Sequence, residues 1–588
     1  MSLKTLLALA ATISTATLTF STAQFVPAPT DLTSTTGYLD LPVRYKQVPE
    51  GICELDPSVK SYSGYVDVEE GEHIFWWFFE TRNGNASEAP LTVWINGGPG
   101  SSSMIGLFEE NGPCYINGEG EVINNPYSWN NVGFSYSIPV NGYVDPNSGY
   151  IVTLPNATCP DYAESYGCGT FSYGNESLTA NSTQAGAPNF WKTLQGFMGA
   201  FPQYSRNGFH FSTESYGGHY GPIYNEYIES QNAKNISGAH QISLESVLIG
   251  NGWYDPLIQY QAYYNFTVWP GNTYDYSPFN ASVQAEFYNN IYGAGNCVDQ
   301  VKDCAARGIN EVCEAADTFC ADLVENVYDI YSGRDEYDVR ELTPDPFPYS
   351  HYTSYLNTPK VQAAIGAYQN FTGSSNTVYN AFTATGDDDR ESGTIEAVRT
   401  LLNQGVYVAM MAGDADYNCN WLGGEVISNE VNATNFSLAG YTNISTSDSI
   451  VHGQVKQSGL FSFSRIYESG HEVPFYQPLA ALEIFSRVIG RLDIQTGTIA
   501  IDANAGYVTK GTPKSTFREG NATLQFEVLP ANSTYNTTLN GPNPVGGGVK
   551  KGELKRALLG RGGGGAGAGG EGKRFKPKSK SQKKGRSH

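Results

Sequence analysis

The sequence holds no run of eighteen or more apolar residues, so no membrane-spanning helix is expected. It has no internal repeat, which excludes solenoids and propellers. Basic residues are scarce over most of the chain. Thirteen of the 35 Lys and Arg lie after Val549, against only Glu553 and Glu571 there. The body is therefore even more acidic than the net charge of −23 suggests, and it offers no basic stripe to nucleic acid. The tail, residues 549–588, reads GRGGGGAGAGGEG and then KRFKPKSKSQKKGRSH. Such a composition cannot bury a core, and a solvated, disordered tail is expected. Polyanion binding, or trimming after Lys555-Arg556 or Lys573-Arg574, are the alternatives. The tail lacks the hydrophobic end of a lipid-anchor signal.

What is present points outward. Lys4, the apolar LLALAA and small residues up to Ala23 have the order of a secretory leader, with cleavage expected before Gln24. Sequons are dense, among them Asn85, Asn156, Asn175, Asn181, Asn235, Asn265, Asn280, Asn370, Asn432, Asn443, Asn521 and Asn532. A secreted, glycosylated protein is expected, with a vacuole or cell wall as other destinations. The nine cysteines leave one free or intermolecular in an oxidising compartment. Cys297, Cys304, Cys313 and Cys320 step by seven, nine and seven, which suits nested pairs, 297–320 around 304–313, in a stapled helical hairpin. A zinc site is the rival, but the spacings are wide for ligand knuckles.

At 588 residues the chain has room for several domains, or for one large α/β domain with insertions. SYSGYVDV alternates, HIFWWFFE is a bulky apolar run, and LTVWIN is a buried strand ending in NGGPGSSS. GFHF, SVLIGN, VYVAMMAG and FSFSRIYESG follow as strands, with helical stretches such as TLQGFMGAF and PLAALEIFSRVIG among them. Short apolar strands alternating with helices predict a mostly parallel sheet. The expected organisation is a leader 1–23, a first core part 24–254, a cap insertion 255–395, a second core part 396–500, an extension 501–548 and the tail.

Residues 212–220, STESYGGHY, place Ser215 at a sharp strand-to-helix turn. Acyl transfer by a serine needs a base that reaches the hydroxyl and an acid that orients the base. In the α/β-hydrolase fold these follow in the order Ser, Asp or Glu, His, each just after a strand. The chain supplies Ser215, then Asp414 or Asp416, then His471. Thr213 stands where the nucleophile turn usually has glycine, so a strained or wider turn is expected; Gly217 keeps the other glycine position.

WINGGPGSSSMIGLFEENGPC (94–114), NPYSWN (125–130), VGFSYS (132–137), TESYGGHYGP (213–222), IGNGWYDP (249–256), AGDADYNCNWLGG (412–424) and SGHEVPF (469–475) together resemble the serine carboxypeptidase family, from about residue 60 to 495. The resemblance implies a disulfide-stapled cap on an α/β-hydrolase core and release of C-terminal residues from peptides through an acyl-enzyme. It implies Ser215 as nucleophile, Asp416 and His471 as its partners, and the N–H groups of Gly98 and Tyr216 as oxyanion hole. It implies that Trp94, Asn96, Glu110 and Glu214 grip the substrate's α-carboxylate. Protein carboxylates can bind another only by sharing protons, so acidic pH is expected to favour activity. Cys419 matches a position typically unpaired in the family, near the substrate; pairing with Cys53 or Cys114 is the alternative. Cys53–Cys114 and Cys159–Cys168 are favoured for the rest. Glu109 and Glu472 are departures that could line a leaving-residue pocket and attract C-terminal Lys or Arg; solvent-facing charge is the other reading. No metal or organic cofactor is expected, and the absence of His-x-x-Glu argues against a metallocarboxypeptidase.

One feature argues against the rest. Relatives carry about a dozen more residues between NPYSWN and VGFSYS, forming an apolar central strand. Here Asn130 runs directly into Asn131-Val132. Unpaired buried backbone groups cost about 1–3 kcal/mol each, against a total stability of about 5–15 kcal/mol. A missing core strand is therefore expected, and with it either an incorrect translation at this junction or a poorly folding product. An inactive secreted glycoprotein on the same scaffold, or an acyltransferase, are the alternative readings.

Overall fold

The computed structural model describes residues 25–524 apart from 130–134, 146–148, 177–178, 269–271, 344, 346, 391 and 505, together with 535–536 and 541–542. The leader 1–23, the junction at 130–132, the Asn532 sequon and the tail 549–588 lie outside the described residues. Among the described residues no helix is long and apolar enough to cross a membrane.

The chain opens with an antiparallel series, β1 (Thr33–Thr36), β2 (Pro42–Val48), β3 (Ser61–Glu69) and β4 (Glu72–Phe79). Gly71 has φ +76° in the two-residue link from β3 to β4, a conformation that suits glycine. After β5 (Leu91–Ile95) come a hairpin of β6 (Cys114–Ile116) and β7 (Val122–Asn124), then β8 (Ser135–Tyr136). A small sheet follows, of β9 (Pro139–Val144), β10 (Ile151–Thr153) and β11 (Cys168–Ser172). The remaining strands are β12 (Phe209–Glu214), β13 (Leu244–Gly250), β14 (Tyr407–Gly413), β15 (Thr442–Ser445), β16 (Val451–Ser458) and β17 (Phe461–Ile466).

These strands form a mixed seven-stranded sheet in the order β15-β16-β17-β14-β13-β12-β5, parallel from β17 to β5 with an antiparallel pair at the far side. Every residue of β12 and β14 is buried, as expected of interior parallel strands covered on both faces. The sheet stops at β5. A separate five-stranded sheet, β1-β2-β3-β4-β8, ends on the two-residue strand β8. Among the described residues no strand joins β5 to β4, and the short junction falls in the sequence just before β8. The two sheets still share one hydrophobic core, in which Val66 and Trp76 of the smaller sheet cluster with Phe211 and Val408 of the larger.

Helix α1 (Thr183–Ala200) seals that core. A Cβ on its Gly196 would meet Val66 Cγ1 at 2.4 Å, so glycine lets the helix lie against β3. Helix α2 (Gly217–Lys234) leaves directly from the turn after β12. Helices fill much of the stretch between β13 and β14, including α3 (Pro256–Val268), α4 (Ala281–Tyr292), α5 (Cys297–Arg307) and α6 (Asn310–Cys320). Nested disulfides Cys297–Cys320 and Cys304–Cys313 join α5 to α6; Cys53–Cys114 and Cys159–Cys168 are the other two.

The sequon residue Asn370 is buried. Its Oδ1 accepts from Thr170 N–H at 2.8 Å, and its Nδ2 donates to Asn357 Oδ1 at 3.3 Å. Asn85, Asn156 and Asn235 are exposed. Glycan mapping of protein from a glycosylating host is therefore expected to find Asn370 bare. Asn370→Ala should cost about 1–3 kcal/mol in denaturant unfolding, because it strands the Thr170 N–H.

Candidate active site

The register of the large sheet levels its carboxyl ends. Glu214 lies beside Gly250, Gly250 beside Met411, and Gly413 beside Ile466. Ligands of open α/β sheets bind at this edge, and three sequence-predicted residues follow it: Ser215 after β12, Asp416 after β14 and His471 after β17. Ser215 has φ +63°, a left-handed conformation rare for a non-glycine residue. The turn is held by Ser215 N–H to Gly250 O at 3.1 Å, and its carbonyl accepts from Gly218 and Trp253 N–H groups at 2.9 and 2.8 Å. Thr213 is accommodated. Its Oγ1 donates to Ile95 O at 2.7 Å, and the space it needs exists because residue 217 is glycine, whose Cβ would lie 2.0 Å from that oxygen.

Asp416 is fully buried. Its Oδ2 accepts from His471 Nδ1 at 2.8 Å, Asn251 Nδ2 at 2.7 Å and Cys419 N–H at 3.2 Å. This separates the two candidate aspartates, since Asp414 instead accepts from Thr273 Oγ1 and Tyr274 OH and sits 3.5 Å from Arg465. The His471 backbone N–H donates to Tyr337 O at 2.9 Å, and the two rings meet at 63°. Burial disfavours the charged imidazole, but the Asp416 carboxylate, helped by Glu472 and Glu110, lifts it to about 9. Among the described residues the Ser215 side chain makes no hydrogen bond, the looser state common at such sites before substrate binds.

The N–H groups of Gly98 and Tyr216 donate no hydrogen bond to a described residue. A Cβ on Gly97 would lie 2.2 Å from Tyr216 N, so only glycine permits the exit of β5 to pass this close to the serine turn. Gly97 and Asn251 were missed as functional positions. Both lie inside quoted motifs, but their contacts are with residues more than a hundred positions away.

Asn96 is the hub of the acidic side. Its Oδ1 accepts from Trp94 Nε1 and Gly106 N–H at 2.8 and 3.0 Å, and its Nδ2 donates to Glu110 Oε1 and Glu214 Oε1 at 3.0 and 3.2 Å. Glu109 and Glu110 come from a single π-turn, Gly106–Glu110, in which Asn111 and Gly112 N–H groups both reach Gly106 O. Burial raises the Glu110 and Glu214 carboxyls, and the Glu110 charge lifts Glu214 further, well above the usual range, so the pair retains a proton. Burial and the Glu472 charge raise Glu109 well above it, and burial brings Glu472 to about 8. No ion pair among the described residues reaches any of the four. Glu110 Oε2, Glu214 Oε2 and Glu472 Oε2 are buried without a hydrogen-bond partner.

Cys419 is unpaired and buried, and burial with nearby carboxylates holds its thiol well above the usual range. Its Sγ, an Asp416 oxygen and a His471 nitrogen lie within 4.8 Å of one another. Asp416 and His471 are already hydrogen-bonded to each other, and burial favours the protonated thiol.

The sequence matches the family described as serine carboxypeptidase over residues 49–134 and 164–491, a span that includes every residue placed above. The chain belongs to the serine carboxypeptidase family. It is 38% identical to carboxypeptidase S1 of Penicillium janthinellum, across 76% of this chain and 99% of that one. A carboxypeptidase S1 homolog B of Arthroderma otae is also 38% identical, over 81% of this chain and 80% of that protein. A vacuolar serine-type carboxypeptidase of Saccharomyces cerevisiae is 34% identical over 76% and 82%. The crystal structure of Kex1(delta)p, a prohormone-processing carboxypeptidase from Saccharomyces cerevisiae, superposes with a TM-score of 0.58 at 20% identity, covering 75% of this chain and 95% of that one. This serine carboxypeptidase is a hydrolase of the α/β-hydrolase fold.

Raised carboxyl groups couple folding to pH. The folded state holds protons that the unfolded chain releases above pH 4.5, so stability falls as pH rises through the raised values, about 7 for Asp335 and about 8 for Glu472 and Glu519. The unfolding temperature is expected to be higher near pH 4.5 than near pH 8, with Glu472→Gln reducing the difference. A midpoint that stays constant or rises over that range contradicts the assignment.

Proposed function

We propose that the protein removes C-terminal residues from peptides, with Ser215 as nucleophile, His471 as base and Asp416 as the group that orients His471. Ser215 Oγ attacks the scissile carbonyl carbon while His471 takes the hydroxyl proton. The N–H groups of Gly98 and Tyr216 receive the developing oxyanion. The tetrahedral centre collapses, the C–N bond breaks, and His471 returns the proton to the departing amine. Water then attacks the Ser215 ester by the same route in reverse, releasing the shortened peptide.

The observation that carries the reading is the pair of buried, unpartnered oxygens, Glu110 Oε2 and Glu214 Oε2, beside the serine turn. A buried carboxyl oxygen without a partner is costly, and a third carboxylate approaching with a shared proton supplies one. Asn96 has both amide hydrogens engaged, so it holds the two glutamates while Glu214 donates to the peptide's end. Trp94 fixes Asn96 in turn. The same acidity serves the base, because a protonated Glu472 no longer helps Asp416 hold the proton on His471. Protonation of His471 then sets the acid limb of the profile, and loss of the Glu110–Glu214 proton sets the alkaline one.

Glu472 lies close enough to Glu109 for its charge to raise Glu109's affinity for protons, and no Lys or Arg among the described residues forms an ion pair with either. They form the pocket for the departing residue and favour Lys or Arg there. The first 23 residues direct the chain into the secretory route, and the exposed sequons carry glycans.

Blocked dipeptides at about pH 4–5 are the direct assay. Ser215→Ala should abolish turnover and fluorophosphonate labelling, and an amidated C-terminus should abolish cleavage. Glu214→Gln should keep much of the acid activity and flatten the alkaline fall of kcat/KM; a loss equal to that of Ser215→Ala would refute its recognition role. Glu472→Gln should lower kcat/KM for C-terminal Lys or Arg about tenfold relative to Leu; an unchanged ratio removes it from the pocket.

A further inference from the structure

Asp387 lies outside every motif used so far, in the loop after helix Asn376–Thr383, and it is fully buried. A single oxygen, Oδ2, accepts three hydrogen bonds: from Tyr216 OH at 2.8 Å, Thr183 Oγ1 at 2.7 Å and Thr183 N–H at 3.0 Å. The Thr183 N–H belongs to the first turn of α1, where a carboxylate is favoured by the helix dipole. The neighbouring residues of the loop are tied to the same region. Asp388 O accepts from Trp253 Nε1 at 3.3 Å, and Asp389 Oδ1 accepts from Tyr260 OH at 2.7 Å. Trp253 is the residue whose N–H also holds the Ser215 carbonyl.

Tyr216 is thus gripped at both ends. Its backbone begins α2 and carries the free N–H beside Gly97; its phenol is fixed by Asp387. Between them the His219 ring lies parallel to it at 4.5 Å, itself bonded through Nδ1 to Trp253 O. The loop is backed from the far side by the stapled hairpin. Arg390 donates to Gly308 O and Asn310 Oδ1 at 2.9 and 2.8 Å, and a Cβ on Gly386 would lie 2.2 Å from the Cys313 carbonyl carbon.

We propose that Asp387 is a positioning residue for catalysis: through the Tyr216 phenol it holds the Tyr216 N–H in the geometry that receives the oxyanion. The inference rests on the oxyanion role proposed for Tyr216. An aimed donor is worth a large factor in rate, and a misplacement of about 1 Å can cost about a hundredfold.

The experiment compares Tyr216→Phe, Asp387→Ala, their combination and Asp387→Asn in the full chain. Active sites are counted by fluorophosphonate titration, and kcat and KM are measured per titrated site alongside the affinity for a peptide aldehyde that mimics the tetrahedral intermediate. Each single variant is expected to lower kcat about 10- to 100-fold with KM little changed, and to weaken aldehyde binding in parallel. The double variant should lose no more than either single one, and Asp387→Asn, which keeps an acceptor oxygen, should recover most of the rate. Unchanged kcat per titrated site with a lowered unfolding temperature, or additive losses in the double variant, overturns the proposal. Should Asp387→Ala fail to fold, Tyr216→Phe removes one oxygen and decides alone. Wild-type protein that is neither labelled nor active would sink the parent reading of Ser215 instead, and labelled Tyr216→Phe with normal kcat sinks only this one.

Discussion

Glu110 and Glu214 are buried and hydrogen-bonded to the same amide, and among the described residues no Lys or Arg forms an ion pair with either. Two negative charges so placed cannot coexist at low dielectric, so one of the two side chains must remain an acid. Much of the site is arranged around that constraint. Asn96 is saturated so that it can hold both groups, Trp94 and the Gly106 N–H are spent on holding Asn96, and glycine is required at 106 because a Cβ there would lie 2.1 Å from Trp94 Nε1. Under the proposed reading of Ser215, a glutamate immediately before it is unfavourable as a charge and useful as a hydrogen-bond donor.

The serine turn illustrates how a local misfit is absorbed. Threonine at 213 crowds the exit of β12, yet its hydroxyl is bonded to the neighbouring strand and its bulk faces a glycine. The left-handed backbone at Ser215 is in turn fixed by hydrogen bonds from two directions, one to β13 and two from the residues that follow. Strain of this kind persists only where the surroundings over-determine it, and here adjacent strands and the start of α2 do so together.

What the sequence made legible was short-range. Alternation in SYSGYVDV, the apolar run VYVAMMAG and the glycine-marked turn after GFHF place β3, β14 and the serine turn, because period and turn chemistry are written in neighbouring residues. The aspartates were a different matter. Asp414 and Asp416 both follow β14 within three residues; the local pattern leaves them equal, the family resemblance singles out Asp416, and the packing of Asp414 against Thr273, Tyr274 and Arg465 gives the physical reason. Asn251 reaches Asp416 across 165 positions and Asp387 reaches Tyr216 across 171, so no local pattern could announce either. The short junction before β8 was visible as a change of length. The division of the strands into two sheets that nevertheless share a core was not, because it depends on side chains from both halves filling one interior.

The π-turn at Gly106–Glu110 has a consequence of its own. An ordinary helical pitch separates successive side chains by about 100° around the axis, which would turn one of two adjacent acids away. The wider turn is a regular helix with one residue to spare, and it keeps both inside. Which acidic groups are buried beside Asn96 is thereby fixed by how many residues the segment has as much as by which ones. Loss of a single residue there would let the coil tighten and change the acidity of the cleft with every side chain still in the chain.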